Sequence, residues 1–232
     1  MKKSRSFSAP LTRQETIAGL FYLIFQFLFL GSVLIFLNSH LDNPLNSAEV
    51  NFLFYLINFL AVLLIFHSFL EKGLTQVFQH PILLCEAVIL GFVGYYACNW
   101  LTVKVVGLLV PGFTNYNDQA IVGMLRSNYF LMLIGTVILV PLAEECLYRG
   151  LIFRNLYGKS PVAAYILSIL AFAIIHIIGY IGNYSALELL MAFLQYLPAG
   201  LCLAWAYTRS GSIFAPILIH AAINYISIRN LI

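Results

Sequence analysis

Charge is what this chain has least of. Asp, Glu, Lys and Arg together supply 9% of its 232 residues, whereas 62% are hydrophobic. A soluble domain carries about a quarter charged residues, so the composition excludes an ordinary soluble protein. A mean hydropathy of +0.92 places the chain in a lipid bilayer, and spans of about 20 residues each use up its length. Also missing is any C-x-x-C pair. Cys85, Cys98, Cys146 and Cys202 are far apart in apolar runs, which argues against a disulfide framework or a thiolate zinc site. The metalloprotease signature H-E-x-x-H is absent. So are internal repeats, which disfavours a transporter, and a lysine in the last apolar run, which disfavours retinal-type chemistry. The net charge of +3 is too small to suggest a nucleic-acid partner.

What is present is a series of long apolar runs. Residues 1–16 are polar and basic, with Lys2, Lys3, Arg5 and Arg13. The run 17–37 is too long for a signal-peptide core and lacks a small-residue cleavage site, so it reads as an uncleaved span. Further spans are expected at 50–70, 81–103, 128–157, 161–178, 186–207 and 212–229, with a short loop at 71–80. Pro111, Gly112, Asn115, Asn117 and Asp118 break the pattern within 105–127, where 119–126 reads as a short helix on the membrane surface. The expected fold is therefore all-α: a polytopic transmembrane helical bundle of about seven spans, or eight if 105–127 re-enters the membrane. It divides into the basic N-terminus (1–16), three spans with an interfacial segment (17–124), and a C-terminal part (125–228). With the N-terminus cytoplasmic, Lys2, Lys3, Arg5, Arg13, Lys72, Arg149, Arg154, Lys159 and Arg209 lie inside, against Lys104, Arg126 and Arg229 outside. That asymmetry fits the positive-inside rule and favours this orientation over its inverse.

The chemistry gathers at 140–150, where Glu144, Glu145 and Arg149 fall within six residues at the end of an apolar run. A charge in hydrocarbon costs at least a few kcal/mol unless it is paired or faces a wet cavity. Glu145 and Arg149 are four apart and share a helix face in the favoured acid-first order. Glu144 lies about 100° round the helix and faces elsewhere. His176 sits in the next run, and His220 and Asn224, also four apart, in the last. At 1.5 Å per residue, Glu144 is about 20 Å from its helix end, His176 about 22 Å, His220 about 12 Å and Asn224 about 18 Å. All four thus fit one level in the middle or cytoplasmic half of the membrane, a single site. A glutamate there suits deprotonation of water, an imidazole suits holding that water, and His or Asn donors suit an oxyanion. Alternatively, Glu144, His176 and His220 offer a ligand set for zinc, and spacing alone leaves metal or direct glutamate action open.

E-E-x-x-x-R-G at 144–150, F-x-x-x-H at 172–176 and H-x-x-x-N at 220–224 resemble the three motifs of the CAAX-protease and bacteriocin-processing family of intramembrane proteases, also called Abi or CPBP. The approach to the last motif, 208–220, is also similar. The resemblance covers roughly 125–228 and implies an intramembrane endopeptidase in a bacterial cell membrane. It implies Glu144 as water-activating base assisted by His176, with His220 and Asn224 holding the oxyanion and Glu145 and Arg149 supporting. The implied partners are a peptide or membrane-protein substrate and the lipid bilayer, and the implied roles are bacteriocin or peptide maturation and self-immunity. The other class the sequence allows is a non-enzymatic regulator holding a membrane-protein partner such as a sensor kinase.

Overall fold

The structure, a computed structural model, describes Phe7 and residues 10–231. Lys2, Lys3 and Arg5 of the expected basic segment lie outside the described residues. Among the described residues the fold is helical, with no strand. In chain order the helices are α1 (Arg13–Asn38), α2 (Ser47–Ile65), α3 (His67–Gln79), α4 (Pro81–Leu109) and α5 (Tyr116–Ser127). They continue with α6 (Tyr129–Tyr157), α7 (Pro161–Ile175), α8 (Ala186–Ser210) and α9 (Phe214–Leu231).

Local chemistry sets where the helices begin. Thr12 with Glu15, Asn46 with Glu49 and Ser185 with Glu188 form reciprocal capping boxes at α1, α2 and α8, each satisfying backbone donors that a helix start leaves orphaned. Asn128 caps α6 by accepting from the Leu131 N–H at 3.2 Å. Pro81 and Pro161 occupy the first turns of α4 and α7, where a missing N–H costs nothing. At the end of α8, Gly211 adopts φ 73°, a left-handed cap that lets α9 turn back at once.

Among the described residues six helices (α1, α2, α4, α6, α8, and α7 with its extension to Tyr180) are long and apolar enough to cross a membrane. Leu108 is 83% exposed, Ile82 82% and Leu64 77%, an outward apolar surface of the kind a bilayer covers. Half of the apolar window of α6 and of α8 is buried, against 6% for α1, so α6 and α8 are central and α1 is peripheral. The seventh expected span is α9. It is less apolar because it carries His220, Asn224, Arg229 and Asn230, and it buries Ile217, Ile219, His220 and Ile223 in the bundle.

The loop expected at 71–80 is instead a helix, and the span expected to continue to Leu70 stops at Ile65. The chain bends at Phe66 (φ −105°, ψ 22°) and restarts as α3. Glu15 makes the restart possible: its Oε1 accepts the Phe69 N–H at 2.8 Å, a cap supplied from 54 residues away. Phe69, Leu70 and Gly73 form the buried face of α3, and Ser212 Oγ donates to the Gly73 carbonyl at 2.9 Å. Glu86 of α4 is paired with Arg209 of α8.

Orientation gives a prediction that needs no enzymology. The end of the bundle holding Arg13, Lys72, Lys159 and Arg209 is expected to face the cytoplasm. A reporter fused after Lys159 should behave as cytoplasmic and one inserted near Asn43 as external. The opposite pair of readings overturns the orientation.

Candidate active site

The site is built where α6 widens. Two stretches of α6, Gly135–Leu139 and Cys146–Phe153, take the wider π-type turn, a geometry that recurs at functional sites. In the first of them, the Val140 N–H bonds to the Gly135 carbonyl, and the next residue, Pro141, has no N–H to give. The Thr136 carbonyl is thereby left without a helical donor, and Asn224 Nδ2 of α9 donates to it at 2.8 Å. A proline in α6 thus fixes the position of an asparagine in α9. Gly135 lets α2 approach at this point, since a Cβ there would lie 2.7 Å from the Tyr55 ring.

Glu145 and Arg149 pair as their spacing predicts, Nη1 to Oε1 at 2.9 Å, with both side chains fully buried. Arg149 Nη2 also donates to the Gly200 carbonyl at 3.2 Å, and the guanidinium lies 4.5 Å from the centre of the Phe172 ring. The same Glu145 oxygen contacts His220 Nδ1 at 2.9 Å. A carboxylate accepts, so Nδ1 carries the proton and Nε2 is the nitrogen left to act. Arg149, Glu145 and His220 therefore form one buried chain through α6 and α9, with the charges paired as buried charges require.

His176, just beyond the last residue of α7, places Nδ1 2.7 Å from its own helix's Phe172 carbonyl. That carbonyl can only accept, so Nδ1 donates and Nε2 keeps its lone pair. The ring is held by stacking on Tyr196 at 4.2 Å and 24°, and the Phe172 ring lies 4.8 Å from it. Glu144 is half-buried, and its Oε2 is buried with no hydrogen-bond partner among the described residues.

All four residues of the expected site line a single cavity of about 510 Å³: Glu144, His176, His220 and Asn224. Glu145 and Arg149 stand behind it. Glu144 also borders a second cavity of about 450 Å³ between α1, α2 and α6. The structure adds Thr136, Tyr196 and Gln195 to the lining, none of which carries a motif. Only the Pro141 gap hints at Thr136. The cavity extends to Asn115, Asp118 and Leu231, the end of the bundle where α5 lies and α9 finishes, rather than toward the basic end.

The zinc set does not fit. Among the described residues no three His, Cys, Asp or Glu side chains converge closely enough to hold a metal ion.

The fold and the site together define the class: a multi-pass helical membrane protein with a polar cavity built from a glutamate, two histidines and an asparagine. The comparison with protein families agrees. Residues 126–226 match the family described as Rce1-like, type II CAAX prenyl endopeptidase Rce1-like, and this stretch carries all three motifs of the sequence resemblance. It supports a CAAX protease-like hydrolase acting on peptides within a bilayer. No curated protein and no solved structure matches the chain.

Proposed function

We propose that the protein is an intramembrane endopeptidase in which Glu144 activates water directly. The observation that carries this reading is the meeting of an unpaired, buried Glu144 oxygen with His176 on one cavity wall, the Nε2 of that histidine left as an acceptor. Glu144 takes a proton from water while His176 Nε2 accepts the water's other hydrogen and orients it. The water oxygen bonds to the peptide carbon, and negative charge moves to the carbonyl oxygen. Asn224 has a second amide hydrogen free of Thr136 to donate to that oxygen, and His220, held in the cavity wall by Glu145, is assigned as the other group that steadies it. When the C–N bond breaks, the proton held by Glu144 passes to the leaving amine. In a bacterial membrane such an activity suits peptide maturation or self-immunity, the roles the family resemblance implies.

The test compares peptides released by cells making the wild-type protein with those from cells making Glu144→Ala at equal abundance. Products should disappear with Glu144→Ala. A phenotype that survives that substitution instead makes the protein a membrane regulator that holds its partner without cutting it. His220→Ala and Asn224→Ala should each slow cleavage by about 100- to 1000-fold, the usual loss for one oxyanion donor, and less than the loss of Glu144. Chelators should leave the rate unchanged. Inactivation restored by zinc would show that the ligands converge on a metal.

A further inference from the structure

Two cavities meet at Glu144. Phe54 and Tyr55 of α2, Val140 of α6 and Ile175 of α7 line both of them alongside it. Of these four neighbours only Tyr55 has a polar side chain. It lies outside the family-matched stretch 126–226, and no motif assigns it a role.

One widened turn of α6 seats both Tyr55 and Asn224. Gly135 opens that turn, and its missing side chain admits the Tyr55 ring, which a Cβ there would meet at 2.7 Å. The next residue, Thr136, offers its carbonyl to Asn224 Nδ2 at 2.8 Å. The Thr136 hydroxyl and Glu144 are electrostatic neighbours of the Tyr55 hydroxyl. Tyr55 therefore stands on the same stretch of wall as the oxyanion donor Asn224 and faces the base. Asn51, four residues earlier on α2, donates Nδ2 to the Tyr55 oxygen at 2.9 Å. A phenol oxygen that accepts a hydrogen bond donates its own hydrogen more strongly. Thr136 Oγ1 and Glu144 Oε2 are each buried without a hydrogen-bond partner among the described residues, so neither holds that hydrogen. It is left to a ligand in the cavity.

We propose that Tyr55 is a third oxyanion donor. Its hydroxyl bonds to the scissile carbonyl oxygen beside Asn224, and the bond strengthens as that oxygen takes up negative charge. The hydrogen stays on the tyrosine throughout, and the proton of the attacking water still travels by Glu144. The proposal rests on the peptidase reading and adds to it a residue from the N-terminal spans. A ground-state carbonyl carries little charge, so the bond acts on turnover rather than on substrate binding.

Tyr55→Phe removes one oxygen and leaves the ring packed on Gly135. Purified wild type, Tyr55→Phe and Glu144→Gln are compared on internally quenched fluorogenic peptides of mixed sequence. Tyr55→Phe should lose about 100-fold in kcat, the usual size for one such donor, with KM and melting temperature unchanged. A phosphinic analogue of the peptide cut fastest carries an anionic tetrahedral oxygen where the oxyanion forms. It should bind Tyr55→Phe more weakly by about the same factor of 100. A tyrosine that only shapes the neck would change KM or melting temperature and leave the affinity for the analogue, relative to substrate, as it was. Full kcat in Tyr55→Phe overturns the proposal, and so does a rise confined to KM or a kcat loss with no loss of affinity for the analogue. Each of these leaves the peptidase reading standing so long as Glu144→Gln is inactive. If wild type and Glu144→Gln hydrolyse the peptides equally, the peptidase reading falls, and the role of Tyr55 falls with it.

Discussion

Glu144→Gln should abolish cleavage in a protein that inserts and accumulates normally. Glutamine keeps the size and planarity of the side chain but has no basic oxygen. A positioned general base contributes about 100- to 10,000-fold, and here the same group also returns the proton to the leaving amine. Stability should be nearly unaffected, because Glu144 enters no ion pair among the described residues and its Oε2 has no hydrogen-bond partner to lose. His176→Ala should also silence cleavage, but it removes the stacking on Tyr196 at 4.2 Å and so perturbs packing as well. Glutamine is therefore the cleaner substitution. The measurement is product formation per molecule of membrane-extracted protein, with the amount read by immunoblot. Full activity from Glu144→Gln at normal abundance would remove the glutamate from the chemistry and with it the proposed mechanism.

The sequence was legible where periodicity or spacing carried the information. The Glu145–Arg149 pair is an i, i+4 contact, and a helix of any register short of a break produces it. The start of α6, expected at 128, falls at Tyr129 because Asn128 is the cap rather than the first helical residue. The contact of His220 with Glu145 spans 75 residues, and nothing local distinguishes it from a contact with Glu144. The helix α3 was hidden for another reason. Its thirteen residues are too polar to read as a span, and its first turn is capped by a glutamate from α1. The amides that line the cavity, Asn51, Asn99, Asn115, Asn117 and Gln195, were invisible as a group because their scattered positions have no common period. They meet only through the packing of α2, α4, α5 and α8.

Arg149→Ala should behave in the opposite manner to Glu144→Gln, losing the protein before the chemistry can be assayed. Arg149 is among the fully buried side chains of the structure, bonded to Glu145 and to the Gly200 carbonyl and stacked on Phe172. Its removal strands Glu145 in the bundle with only His220 beside it. Breaking a buried pair in this way costs about 3–5 kcal/mol, and the empty space adds a packing loss. Against a total stability of about 5–15 kcal/mol for a typical domain, that is enough to lower abundance and melting temperature clearly. Arg149→Lys should recover only part of the loss. Lysine keeps the charge but not the planar fork that reaches Glu145 and Gly200 together, nor the flat face that stacks on Phe172. A double substitution, Glu145→Gln with Arg149→Met, separates fold from function. It removes both charges, fills much of the space and should restore stability toward wild type, since apolar replacements of buried pairs are often neutral or better. Cleavage should stay low nonetheless, because His220 would then lack the carboxylate that fixes its ring in the cavity wall. An Arg149→Ala protein as abundant and as heat-resistant as wild type would mean that water reaches the pair, and the buried chain from Arg149 to His220 would have to be abandoned.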